Sequence, residues 1–295
     1  MHHLHNLLVA TDLSAPSRHL ALRATLLAKT SRAKLTFLHV LETSLLDELQ
    51  RVIGNDGVAL RQRIREQAAD DLSQLVTEAG EALQVSASTR IVEGVVLEAT
   101  LAEADSVDAS LIMIGVRGAG FMRHWLVGAT AERLLRKSLR PILVVKQPPY
   151  GDYHSVLVAV DFSPWSQHAI GMAQALAPNA KLLLLHAYEV PYEGKLRYAG
   201  VDESVVRQYR EAAHKDALQR LQQCARDAGL AQADWRPVVI HGDAAQRVLE
   251  QEEVQGVDLV VLGKHGAGMI EELLLGSVTK HVLAHARSDV LVATV

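Results

Sequence analysis

Gly263, Gly266, Gly276 and Ser277 stand in the stretch VLGKHGAGMIEELLLGS, Val261 to Ser277, at the spacing G-x2-G-x9-G-S. Glycine costs about 1 kcal/mol relative to alanine in a helical setting, so glycines beside helical-looking segments need a reason. Phosphate chemistry supplies one. A strand end followed by glycines lets the backbone turn and approach a ligand closely, and the unpaired N–H groups of a helix start favour an anion. The Ser277 hydroxyl adds a donor. The spacing alone decides little, since three glycines so placed arise by chance in roughly one chain in ten of this length. Its recurrence carries more weight: MIGVRGAGFMRHWLVGA, Met113 to Ala129, repeats it as Gly115, Gly118 and Gly128, but ends on Ala129 where the later stretch has Ser277. If not phosphate binding, the glycines serve close packing of helix on sheet. No G-x4-G-K-[ST] occurs, and the turn after the first strand of each copy carries no G-x-G-x-x-G, so neither a Walker loop nor a Rossmann dinucleotide site is expected.

These residues must be positioned by a scaffold, and the chain contains that scaffold twice. NLLVATDLS from Asn6 matches SVLVAVDFS from Ser155, and LTFLHV from Leu35 matches LLLLHA from Leu182. Asp12 and Asp161 are offset by 149 residues, His39 and His186 by 147, Gly115 and Gly263 by 148. Near-constant offsets mean two copies of one domain, 1–147 and 153–295, joined at KQPPYGDY. In the second copy short apolar strands alternate with helices. The helix from Pro164 starts behind Ser163, Asp243 caps another, and a long helix ends at Gly229. The long helix of the first copy runs near Val58 to Ala79. Such alternation predicts a parallel sheet with helices on both faces, whose ligands sit beyond the carboxyl ends of the strands.

The remaining chemistry is sparse. A net charge of −4 over 295 residues argues against general nucleic-acid binding. Cys224 is the single cysteine, which excludes an intrachain disulfide. The N-terminus shows no signal-peptide pattern and no apolar run approaches 18 residues, so a soluble cytoplasmic protein without membrane contact is expected. His281 and His285 are spaced i, i+4, but no third ligand accompanies them and no metal site is expected. His39 and His186 read as strand-end features. Asp12 and Asp161 are open to three readings: catalytic carboxylate, Mg²⁺ ligand, or cap of the following helix.

The paired (V/T)D(F/L)S turns, the strands ending LH(V/A), and G-x2-G-x9-G-S together resemble the universal stress protein family in its tandem form. That resemblance implies two repeated doubly wound α/β domains, each a five-stranded parallel sheet of the adenine nucleotide alpha hydrolase-like type, pairing through their last strands as an intrachain pseudo-dimer. It implies a stress-linked cytoplasmic role and ATP as ligand, with Mg²⁺ as its companion and a homodimer as an open assembly. Carried over by position, Asp161 would meet adenine or ribose and Ala187 would offer its backbone to adenine. Leu262, Gly263, His265 and Gly266 would line ribose and phosphates; Gly276, Ser277, Val278 and Thr279 would hold the phosphate tail. The first-copy counterparts are Asp12, Val40, Gly115, Arg117, Gly118 and Gly128. There Ala129 replaces Ser277, Thr130 is in register with Val278, and Ala131 replaces Thr279. VEGVVLEA stands where the second copy has IHGDAAQRVLE, bringing Glu93 near the site and omitting the capping Asp243. Weaker or absent nucleotide binding by the first copy is therefore expected. Three functions compete: a regulatory ATP binder, a slow ATP hydrolase using Asp161 and Ser277, and a ligand-free scaffold.

Overall fold

The computed structural model describes residues 3–53, 57–81, 83–116, 128–266 and 275–294. The chain forms two compact units, Met1–Asp152 with Asp289–Leu291, and Tyr153–Ser288 with Val292–Val295.

In the first unit, β1 (Asn6–Ala10), β2 (Lys34–Glu42), β3 (Ser88–Gly94), β4 (Leu111–Gly115) and β5 (Ile142–Val145) lie in the order β3-β2-β1-β4-β5. The pairs β1/β2, β1/β4, β2/β3 and β4/β5 are parallel. Leu7, Leu8 and Val9 are all wholly buried although successive strand residues point to opposite faces, so helices cover this sheet on both sides. Those helices are α1 (Ser17–Ser31), α2 (Thr43–Ile53), α3 (Gly57–Glu81), α4 (Val96–Ser106) and α5 (Ala129–Lys137).

The second unit repeats the plan with β6 (Ser155–Ala159), β7 (Lys181–Tyr188), β8 (Trp235–His241) and β9 (Leu259–Gly263), and the sheet order runs β10-β9-β6-β7-β8, where β10 (Asp289–Ala293) has only Val292 and Ala293 in this compact unit. Its helices are α6 (Pro164–Leu176), α7 (Glu193–Tyr198), α8 (Glu203–Asp227), α9 (Ala244–Gln255) and α10 (Ser277–His285). Ser163 is the N-cap of α6, with proline in its first turn, and Asp243 caps α9 by accepting the Gln246 N–H at 2.9 Å. After α8, Gly229 adopts φ +70°, the left-handed geometry that lets the chain leave the helix. The short helices α2 and α7 were not legible as separate elements. Each precedes the long helix of its unit, and in the first unit Leu46 of α2 packs in a small cluster with Leu41 and Ala68.

Strand order reverses beside β1 in one unit and beside β6 in the other. A crevice opens there at the carboxyl ends, which in the second unit places Asp161 after β6 and Gly263 at the end of β9.

Candidate functional site

The strand β6 ends in a turn built around one carboxylate. Asp161 Oδ1 accepts from the Ser163 N–H at 3.0 Å, the Ser163 hydroxyl at 2.5 Å and the Ser166 hydroxyl at 2.7 Å. The Asp161 N–H in turn donates to Ser166 Oγ at 2.9 Å. These bonds hold Phe162 at φ +64°, a left-handed conformation that costs an L-residue roughly 1–2 kcal/mol. The Phe162 ring is held as well: the Arg220 guanidinium lies 4.0 Å over it, and His186 packs 4.2 Å away, centroid to centroid. The His186 Nδ1–H donates to the Val160 carbonyl at 2.7 Å, and burial pushes the imidazole pKa down, favouring the neutral ring.

The first unit builds the same turn. Asp12 Oδ1 accepts from the Ser14 N–H at 3.1 Å, the Ser14 hydroxyl at 2.6 Å and the Ser17 hydroxyl at 3.1 Å, and Leu13 stands at φ +60°. His39 Nδ1–H donates to the Thr11 carbonyl at 2.9 Å. The role of each aspartate within the protein is thus to pin the turn into the following helix. Ser17 and Ser166, which complete both turns, were not singled out from the sequence, although they share the 149-residue offset of the aspartates.

Around the second turn lies a cavity of about 160 Å³. All ten second-copy positions taken from the family pattern line it: Asp161, Ala187, Leu262, Gly263, His265, Gly266, Gly276, Ser277, Val278 and Thr279. Ser166, Ala244 and Val248 line it too. The three glycines have different surroundings. A β-carbon on Gly263 would lie 3.0 Å from the Trp165 β-carbon and 3.2 Å from the His265 carbonyl oxygen, so close helix packing accounts for that glycine. On Gly266 it would meet Asp161 Oδ2 at 3.4 Å. On Gly276 it would meet nothing nearer than 3.6 Å. Gly276 is the N-cap of α10, so the helix presents its first N–H groups to the cavity. Thr279 sits deeper: its hydroxyl donates to the Gly263 carbonyl at 2.9 Å, which ties helix to strand and leaves its backbone, not its O–H, for a ligand.

In the first unit a cavity of about 440 Å³ occupies the equivalent place, lined among others by Asp12, Val40, Gly115, Gly128 and Thr130. Arg117, Gly118 and, in the second copy, Gly268 lie outside the described residues. Glu93 departs from expectation. It is not among the residues lining this cavity; instead it is paired with Arg61 and, at 3.7 Å, Arg65, and the Arg61 guanidinium holds its carboxyl below the usual range. Among the described residues no group of three or more metal-ligating side chains is found, and no helix is long and apolar enough to cross a membrane.

Two repeated parallel α/β units, each with a crevice at its strand-order reversal and an aspartate turn beside it, define a tandem architecture. The family model for the universal stress protein family matches residues 3–146 and again 152–294, and the chain belongs to that family as a tandem, two-domain member. Universal stress protein Rv2005c of Mycobacterium tuberculosis is 31% identical over 194 residues, covering 64% of this chain and 63% of that protein. Universal stress protein Rv2623 of the same species is 30% identical, with 64% and 62% covered. The chain thus spans a little under two thirds of the length of the curated relatives it matches. Among solved structures, a universal stress protein from Archaeoglobus fulgidus superposes over 98% of both chains with a TM-score of 0.69 at 20% identity. A functionally unknown protein, PA1789 of Pseudomonas aeruginosa, gives 0.63 at 17% identity over 99% of this chain and 92% of that one. At those identities the likeness concerns the fold.

Proposed function

We propose that this chain is a regulatory ATP-binding protein of the stress response, acting in the cytoplasm, with the repeats 1–147 and 153–295 as its domains and the second as the nucleotide site. The observation that carries the reading is the convergence of ten positions, drawn from four separate stretches of the second copy, on one cavity that includes a helix N-terminus. The Ala187 backbone and the face around Asp161 would take the adenosine end. Gly266, Gly276 and the first N–H groups of α10, with the Ser277 hydroxyl, would take the phosphates. At about 160 Å³ the cavity is below the roughly 300–1,000 Å³ of sites that enclose a whole small molecule, so it would take one end of ATP and leave the other in solvent. Mg²⁺ would accompany the solvent-facing phosphates. No lysine or arginine is among the described residues lining the cavity, which favours holding ATP over turning it over.

The test is the nucleotide content of the purified protein and its calorimetric titration with ATP, beside Gly276→Val and Ser277→Ala. The added side chain at position 276 meets only ordinary contacts in the free protein, so the fold survives while the phosphate path is filled. The expected losses are about a hundredfold or more for Gly276→Val and about fivefold for Ser277→Ala, the latter matching one hydrogen bond of about 1 kcal/mol. Absence of saturable ATP binding, or equal binding by Gly276→Val, overturns the reading; prompt phosphate release in a single-turnover experiment replaces it with the hydrolase.

A further inference from the structure

The last helix of the second unit carries two groups that line neither cavity. Of the fourteen histidines in the chain, only His281 and His285 stand four residues apart. Both lie in α10, so they share one face of the helix, and both are exposed. Their rings are stacked, with centroids 4.3 Å apart and planes 26° from parallel. The tautomer of one ring is fixed as well. His285 Nδ1 lies 2.8 Å from the His281 carbonyl oxygen, which can only accept, so Nδ1 carries the hydrogen and Nε2 keeps the lone pair. A carbonyl that takes the second ring N–H in this way orients an imidazole and raises its basicity as a metal ligand. No other hydrogen bond or ion pair of either side chain is found among the described residues.

The first unit supplies the comparison. At the matched positions α5 has Arg133 and Lys137. Lys137, in the last turn, serves the helix dipole at any physiological pH, whereas His285 does so only when protonated, so the dipole does not account for two imidazoles in α10. Ligation does. Two nitrogens bound at about 2.0–2.1 Å to one tetrahedral ion stand about 3.4 Å apart. The final torsion of histidine is soft, so small rotations of exposed rings already 4.3 Å apart reach that span. Imidazole nitrogens suit Cu²⁺, Ni²⁺ and Zn²⁺, while Mg²⁺ and Ca²⁺ take oxygen. With two ligands from the chain such an ion keeps its remaining positions for water, which makes the site open and exchangeable.

We propose that His281 and His285 form a bidentate surface site for a divalent ion of the copper, nickel and zinc kind. It stands whether or not the second unit binds ATP.

The test is calorimetric titration of the nucleotide-free full chain with Ni²⁺ and Cu²⁺, in a buffer that does not bind metals. His2, His3 and His5 beside the α-amino group offer a competing donor set, so all three are replaced by alanine in every protein titrated. One ion per chain is expected, with Cu²⁺ tighter than Ni²⁺ and Ni²⁺ tighter than Mn²⁺. His281→Gln and His285→Gln place a good helix former without added charge at exposed positions, so melting without metal should be unchanged. Each should weaken Ni²⁺ by at least about tenfold, because chelation needs both rings. The electron paramagnetic resonance of bound Cu²⁺ should show coupling to two nitrogens, and to fewer in either variant. Absence of saturable Ni²⁺ binding, a loss confined to one of the two variants, or Mn²⁺ bound as tightly as Ni²⁺ each overturns the proposal.

Discussion

Removing the carboxylate that organises the second turn should unfold the second unit more readily by an amount the structure allows one to estimate. Asp161 Oδ1 accepts three hydrogen bonds, of 3.0, 2.5 and 2.7 Å. Hydrogen bonds to charged groups contribute roughly 1.5–3 kcal/mol each; here the donors are only part-buried and can turn to water, so about 1–1.5 kcal/mol apiece is the fitting range. Three such bonds sum to about 4 kcal/mol. Against this, loss of the bonds lets Phe162 leave its left-handed conformation at φ +64°, returning about 1 kcal/mol. Asp161→Ala is therefore expected to destabilise the unit by about 3 kcal/mol, and Asp161→Asn, which keeps an oxygen acceptor without the charge, by about 1 kcal/mol. Urea unfolding followed by tryptophan fluorescence measures this. Of the three tryptophans, Trp165 and Trp235 belong to the second unit, so a Trp125→Phe background reports that unit alone. With a slope of about 2 kcal/mol per molar urea, the alanine variant should shift the midpoint down by about 1.5 M. A shift of under about 0.3 M for Asp161→Ala would refute the claim that this carboxylate holds the turn, and would leave ligand contact as its only task.

Three further outcomes follow from the same geometry. Gly263→Ala should cost about 1–3 kcal/mol by driving a methyl against Trp165, whereas Gly128→Ala, with nothing among the described residues within 4 Å, should change stability by under about 0.5 kcal/mol; paired melting curves decide it. Glu252 is buried at 7% exposure and its Oε1 accepts from the Arg287 N–H at 2.7 Å and from the Ser288 N–H and hydroxyl, both at 2.6 Å, so Glu252→Ala should cost about 3–4 kcal/mol in urea unfolding and Glu252→Gln clearly less. Burial holds the His186 pKa below its unfolded value, so on acidification the unfolded chain takes up that proton first. Stability should fall as pH drops through the ordinary histidine range and level only below the folded pKa, with a slope of at most about 1.4 kcal/mol per pH unit; His186→Phe should flatten the curve measured between about pH 7 and pH 5.

The alternation of apolar strands and helices, the doubled plan and the placement of Gly263 at a strand end were all readable, because a parallel sheet covered on both faces leaves continuous Val, Ile and Leu runs such as LVVLG. Caps were readable for the same local reason: Asp243 accepts the N–H three residues on, as its position before a helix suggested. What escaped was whatever depends on side chains meeting across elements. Ser166 looks like any first-turn serine until its hydroxyl is seen on Asp161. Glu93 ends a strand near the crevice, yet arginines one helix away draw it off. The matched left-handed residues Leu13 and Phe162 gave no sign either, since leucine and phenylalanine are poor choices for that conformation on propensity alone. Their side chains explain the choice: Leu13 packs against the Leu41, Leu46 and Ala68 cluster, and Phe162 is clasped by Arg220 and His186.

The comparison of the two copies separates scaffold from site. What both units keep, the aspartate with its two serines, the left-handed residue and the histidine on the preceding carbonyl, is what fixes the turn at the strand-order reversal. Of what they do not share, Ser277 against Ala129 and Thr279 against Ala131 lie on the cavity walls, and Trp165 against Pro16 stands beside them, whereas Asp243 against Val95 lies on neither wall. The glycines divide along the same line. Gly263 is demanded by Trp165, but Gly276 and Gly128 sit at φ −58° and −61°, angles open to any residue, with ordinary contacts or none around a would-be β-carbon. Neither backbone strain nor packing against the described residues requires glycine there. Glycine is tolerated at an N-cap but serine, aspartate and asparagine serve the helix at least as well, so helix capping does not explain the glycine at either helix start.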